Sequence, residues 1–115
     1  MTLQDYIQDA HDNALDKGFW DQRQHIGTLL MLIVSELGEA LEAHRKRRRV
    51  NIGHYPWKDT VTFEQNIKDT FEDEVADVFI RLFDMCGGLG INIEEHIRQK
   101  MKYNRTRPRL HGKSY

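Results

Sequence analysis

Apolar residues recur at helical spacing through most of this chain. Leu3, Tyr6, Ile7, Ala10 and Ala14 follow Thr2, a good N-cap, and the pattern stops at Gly18, which predicts a first helix over 3–16. Ile26, Leu29, Leu30, Ile33, Leu37 and Leu41 form a longer stripe behind Asp21 and Gln24, spaced as a capping box, and predict a helix over 22–48. The period is lost through 49–62, where Gly53 and Pro56 mark a connecting loop. It returns with Ile67, Phe71, Val75, Val78, Leu82 and Met85, between a Thr62–Gln65 cap and Gly87–Gly88, and predicts a helix over 63–86. Asn92 and Glu95 cap a last helix over 93–106 that carries Ile93, Ile97 and Met101 and ends before Pro108. No stretch keeps the alternation of a strand over a convincing length. The expected architecture is therefore an all-α, four-helix bundle spanning 1–115 as one domain.

Composition narrows the function classes. The chain has 115 residues, 39% of them hydrophobic, enough for one core. Its 17 Lys and Arg nearly balance 18 Asp and Glu, which argues against a dedicated nucleic-acid or membrane-surface binder. The distribution is less even: twelve of those basic residues lie in 45–49 and 98–113, and the second stretch holds no acid, a bias that suits an anion nearby. The run at 45–49 ends a helix, where cations favour the dipole. Cys86 has no partner for an intrachain disulfide, and the first residues carry acids where a secretory signal carries bases, so a cytoplasmic, reducing location is expected. The longest fully apolar run, Leu29 to Val34, is too short to span a bilayer. Long one-sided stripes on two helices of so short a chain predict pairing with a copy of itself, as at least a homodimer.

Candidate chemistry lies in a short internal echo. Glu36-Leu-Gly-Glu39-Ala and Glu74-Val-Ala-Asp77-Val share the order acid, apolar, small, acid, apolar. Acids three residues apart lie about 60° apart around a helix, so each pair makes a pincer beside an apolar stripe. If the two stripes pack together, four carboxylates meet along the seam. Such a group needs either Lys and Arg to screen it or a divalent cation such as Mg²⁺ or Mn²⁺, and the spacing leaves both open. Arg81 and Asp84 continue the face of Glu74 and Asp77. On the last helix Lys100, Asn104 and Arg107 align at i, i+4 and i+7, a surface suited to phosphate oxygens or simply a solvated basic terminus.

In that order, SELGEALEAHR, EDEVADVFIRLFD and KMKYNRTRPRLHGK resemble the MazG-like all-α nucleoside triphosphate pyrophosphohydrolases, whose signature is E-x-x-E followed by E-x-x-D on two helices. The likeness runs from about Phe19 to Lys113 and excludes the 49–62 loop. It implies a MazG-like bundle working as a dimer or dimer of dimers, with Mg²⁺ at Glu36, Glu39, Glu74 and Asp77. It also implies that Lys100 and Asn104 contact the triphosphate, with Arg81 and Asp84 on the substrate side; Arg107 joins them as a candidate by its alignment with Lys100 and Asn104. Ser35 stands where relatives often carry a second glutamate, and the interval from Glu39 to Glu74 is longer than in compact relatives.

The chemistry that follows is hydrolysis of the α–β phosphoanhydride of an NTP or dNTP to a nucleoside monophosphate and pyrophosphate, in clearing the nucleotide pool. Either Glu36 or Glu39 serves as general base. Phe19, Trp20 and Trp57 are candidate stacking surfaces for the base, with Trp20 foremost because relatives tend to carry an aromatic there; each also suits core packing. His25, His54 and His111 lack metal-ligand spacing. The alternatives are a nucleotide-binding or scaffold bundle without chemistry, and a basic helical nucleic-acid binder.

Overall fold

The computed structural model describes residues 1–114. Among them the chain forms four α-helices and no strand: α1, Leu3–Asp16; α2, Ile26–Arg45; α3, Phe71–Leu89; and α4, Ile93–Arg105. The all-α expectation is met, and none of these helices is long and apolar enough to cross a membrane.

Caps decide where each helix begins. Thr2 and Asp5 close a full capping box on α1, with Thr2 Oγ1 accepting from the Asp5 amide at 3.2 Å and Asp5 Oδ2 accepting from the Thr2 amide at 2.9 Å. Asn92 Oδ1 accepts from the Glu95 amide at 3.2 Å and starts α4 as expected. The other two starts differ from the sequence reading. Asp21 and Gln24 form no box. Instead the Gln24 amide donates to the Phe19 carbonyl and folds residues 17–25 into a loop, so α2 starts at Ile26 rather than 22. Likewise Thr62 offers no side-chain cap. Residues 63–67 make a single π-helical turn, and Thr70 caps α3 through the Asp73 amide at 3.2 Å, moving its start from 63 to Phe71. Glu72, Asp73 and Glu74 then fill the first turn, where negative charge favours the helix dipole.

The ends differ too. α2 stops at Arg45, with the Lys46 and Arg47 amides donating back to the Glu42 and His44 carbonyls. Arg47 turns left-handed at φ 58°, and the Arg48 carbonyl accepts from the Phe71 amide at 2.7 Å. Gly87 and Gly88 do not end α3. They lie inside it because α1 and the following loop press there: a Cβ at Gly87 would sit 2.8 Å from His11 Cβ, and one at Gly88 would overlap the Trp20 ring. The terminating residue is Gly90, left-handed at φ 67°.

α3 is the central element, with α1 and α2 packed against it. The core is small: Ile7 and Ala14 from α1, Leu29, Ile33, Ala40 and Ala43 from α2, and Val78 and Cys86 from α3. α4 contributes no buried residue and meets the other helices sparsely, so it stands outside the core of this protomer. Because Gly88 leaves no space beside Trp20, Gly88→Ala is expected to lower stability by about 1–3 kcal/mol, read by urea unfolding. The same change at Gly38, whose Cβ would meet nothing within 4 Å, should leave the protomer intact.

Candidate functional site

Packing α2 on α3 brings three of the four pincer carboxylates together. Glu36, Glu74 and Asp77 each offer an oxygen within 4.8 Å of the others, all three half-buried. Glu39 stays outside this trio and is exposed, yet near enough to Glu74 to act on its ionisation. Asp69 and Asp73, which the sequence reading passed over, form a second acidic group with Glu74 at the start of α3. The donor set suits a hard divalent cation: carboxylate oxygens from two helices, with no thiol or imidazole among them.

Burial, then the neighbouring charges of Asp77, Asp73, Glu39 and Asp69, hold the Glu74 carboxyl above its usual range. Burial, then Glu36 and Asp73, do the same to Asp77, against the opposing pull of Arg81 and a hydrogen bond with Glu74. These acids therefore resist carrying full charge together. Arg81 relieves part of the strain, since its Nε donates to Glu36 Oε1 at 2.8 Å across the helix seam. It is a partner of the cluster rather than an unpaired cation awaiting substrate.

Beside the carboxylates lies a cavity of about 250 Å³ between the end of α1, the 17–25 loop, α2 and α3. Phe19, Trp20, Leu29, Leu32 and Ile80 give it apolar walls, while Glu36, Asp77, Arg81 and Asp84 line its polar side. That volume falls just below the ~300–1,000 Å³ of drug-sized ligand sites, which suits one flat heterocycle. Trp20 is held in place at its polar end. Its indole Nε1 donates to Asp84 Oδ1 at 2.9 Å, and His11 Nδ1 meets the same oxygen at 2.9 Å, edge-on to the Trp20 ring. Asp84 is thus an anchor for Trp20 and His11.

His11 was missed in the sequence. It lies four residues after Ile7 and three before Ala14, on the face of α1 that packs against α3, and that placement was its one signal. Phe19 and Trp20 line the cavity, whereas Trp57 pairs with Tyr55 in the 49–62 loop at 5.0 Å.

Lys100, Asn104 and Arg107 do not join this site within the protomer. Arg107 lies past the end of α4, and it and Lys100 flank the Tyr103 ring at 5.7 and 5.2 Å. The reason is architectural: α4 leaves the bundle after Gly90, so its basic face and the α2–α3 seam are separate surfaces. Comparisons with protein-family models, curated proteins and solved structures found no match.

Raised pKa values set the sign of a pH effect. For Glu74 and Asp77 the folded-state pKa lies above the unfolded one, so protonation favours the folded chain; their stabilising contribution is complete below the ordinary carboxylate range and fades as pH rises through the raised values. Without metal, the Glu74→Gln/Asp77→Asn double variant should melt a few degrees above wild type near neutral pH. The gap should close as pH is lowered toward the ordinary 4.5 of a glutamate. Thermal melts of both proteins in EDTA across that range check it; a gap independent of pH contradicts it.

Proposed function

We propose that this chain is a Mg²⁺-dependent nucleoside triphosphate pyrophosphohydrolase that cleaves the α–β phosphoanhydride of NTPs or dNTPs in nucleotide-pool housecleaning. One observation carries the reading: Glu36 and Asp77 belong at once to the carboxylate trio and to the wall of an aromatic-lined cavity. A group that holds a cation for phosphates and a pocket for a flat ring are continuous, as a nucleotide requires.

Glu36, Glu74 and Asp77 would hold the ion, which when bound supplies positive charge for the polyphosphate and acidifies a water molecule. The remaining roles belong to the chain. Phe19 and Trp20 give the base an apolar ring surface, and Asp84 keeps the Trp20 indole from turning. Arg81 neutralises Glu36 through Nε and keeps further guanidinium N–H groups for a phosphate oxygen. Glu39 is the better general base of the two candidates: it is exposed beside Glu74, while Glu36 is engaged by Arg81.

The Arg81–Glu36 bridge also favours a second reading, in which the acids are a charged lock between helices in a binding or scaffold protein that does no chemistry. A pyrophosphate-release assay over canonical and modified nucleotides separates the two. The first reading expects turnover that EDTA abolishes, and a fall in kcat/KM of about 10²–10⁴-fold in Glu39→Gln. Glu74→Gln should weaken Mg²⁺ binding in calorimetry, and Trp20→Ala should raise KM more than it lowers kcat. Nucleotide binding without turnover across the panel would select the second.

A further inference from the structure

We infer that Asn13 is the residue that reads the base: its side-chain carboxamide pairs with the Watson–Crick edge of the ring that enters the cavity, so the accepted nucleotides are those whose edge is free of alkylation. This rests on the proposed function for the nucleotide itself, and adds the group that selects among nucleotides.

Most polar groups on the cavity wall are already engaged. Arg81 Nε donates to Glu36 Oε1 at 2.8 Å, and Asp77 shares a hydrogen bond with Glu74. Asp84 Oδ1 takes both the Trp20 indole and His11. The Gln24 amide donates to the Phe19 carbonyl. Among the described residues, Asn13 is the one uncharged wall residue whose side-chain donor and acceptor are both unspent; only its backbone carbonyl is bonded beyond the helix, accepting from the Lys17 amide. An exposed asparagine is ordinary on a helix surface. One that lines a cavity where the other polar groups are largely taken offers an entering ligand two N–H donors and a carbonyl acceptor.

Its placement on α1 suits that role. Ala10, Asn13 and Ala14 fall within about 100° of one another around the helix, and all three line the cavity. The two alanines keep this wall shallow, and Asn13 is the polar side chain that α1 brings to it. Glu36 and Asp77, by contrast, come from α2 and α3. A volume of about 250 Å³ holds the ring of a nucleotide but not its sugar and phosphates, which must lie on the carboxylate side.

Covalent structure then fixes which edge of the ring meets α1. The glycosidic bond joins the ring to the sugar and phosphates, and the Watson–Crick edge lies on the far side of the ring from it. Phosphates held at Glu36, Glu74 and Asp77 therefore turn that edge toward the wall that carries Asn13. Every standard base shows a donor beside an acceptor there: an amino group beside a bare ring nitrogen in cytosine and adenine, a ring N–H beside a carbonyl in uracil, thymine and guanine. A carboxamide matches such a pair with its own carbonyl and amide, and turning about Cβ–Cγ reverses their order. Asn13 thus tolerates the standard edges. A methyl group on the ring nitrogen removes one partner and leaves the carboxamide unpaired against it, which a site built for hydrogen bonding rejects.

Pyrophosphate release with Mg²⁺, measured for each standard dNTP beside its derivative methylated at the Watson–Crick ring nitrogen, tests the assignment. Wild type should favour the unmodified nucleotide by about 10–100-fold in kcat/KM. Asn13→Ala should bring that ratio to within about threefold of one, chiefly by losing activity on the unmodified nucleotide. Asn13→Asp keeps the shape but accepts only, so the ratio of dGTP, with two adjacent N–H donors, to dTTP, with carbonyls flanking its one, should rise by about tenfold. Ratios between nucleotides do not depend on how much of a variant is folded, so they remain readable if a substitution lowers stability. Turnover with wild-type ratios in both variants, or a wild type indifferent to methylation of the edge, overturns the role of Asn13 while the pyrophosphohydrolase reading stands. If wild type binds nucleotides without turning them over, that reading fails, and the same ratios taken from dissociation constants in calorimetry decide for or against Asn13. A wild type that neither binds nor hydrolyses any of these nucleotides overturns both.

Discussion

Confinement of like charge on the α2–α3 seam is the constraint from which the rest of the site follows. Three carboxylates share a region less than 5 Å across, where two full charges repel by roughly 3–4 kcal/mol at an effective dielectric of about 20. Burial of α2 and α3 against each other holds the acids there, through Leu29, Ile33, Ala40 and Ala43 of α2 and Val78 of α3. The single guanidinium of Arg81 engages Glu36 and offsets Asp77 only in part, and burial first, then repulsion from neighbouring acids, holds the Glu74 and Asp77 carboxyls above their usual range. Charge is thus left in excess at the end of the cavity that faces Asp77. The excess is an energetic cost to the folded chain, which a bound cation would relieve.

How far the sequence disclosed this can be traced residue by residue. α1 was legible to its ends because Thr2 and Asp5 cap locally and Gly18 follows the last turn. The acid pincers were legible because they depend on helical period alone. What failed depended on contacts distant in sequence. Gly87 and Gly88 read as terminators by composition, yet they are small because His11 and Trp20 press on them. Asp84 read as part of an acid and base stripe, yet its partners lie 64 and 73 residues away. The start of α3 was misplaced because Thr62 and Thr70 both satisfy a capping pattern, and the acids after Thr70 decide between them. Lys100 and Asn104 do share one helix, while Arg107 lies past its end. Alignment within a helix, however, carries no information about where that helix goes.

α2 concentrates the design of the molecule, since it presents three different surfaces around one axis. One holds the core, one contributes Glu36 to the carboxylate trio, and one is apolar and open. The hydrophobic stripe in the sequence merges the first and third, because Leu29 and Leu30 look alike until packing separates them. Only the structure distinguishes an apolar residue that is buried from one that stays exposed. This also explains how a long helix can have a modest core: most of its large apolar side chains remain 37–63% exposed.

The long interval between the two pincers is compatible with a fixed site because the intervening segment is closed at its base. The Arg48 carbonyl accepts from the Phe71 amide at 2.7 Å, and Glu72 accepts from the Val50 amide at 3.2 Å and from Arg49 Nε at 3.1 Å. Arg49 also lies over the Phe71 ring, 5.2 Å from its centre. Burial pushes the Glu72 carboxyl up, but the amides of Glu72 and Val50 together with Arg49 outweigh it and hold the group below its usual range, so the clasp keeps its charge. Chain leaving α2 is therefore returned to the first turn of α3 within a few ångströms, whatever lies between. The entropy of closing a loop grows slowly with its length, and here the closure is made by contacts outside the 51–70 excursion itself. Length added between Asn51 and Thr70 consequently does not reach Glu36, Glu74 and Asp77, whose relative positions depend on the α2–α3 packing and on this clasp.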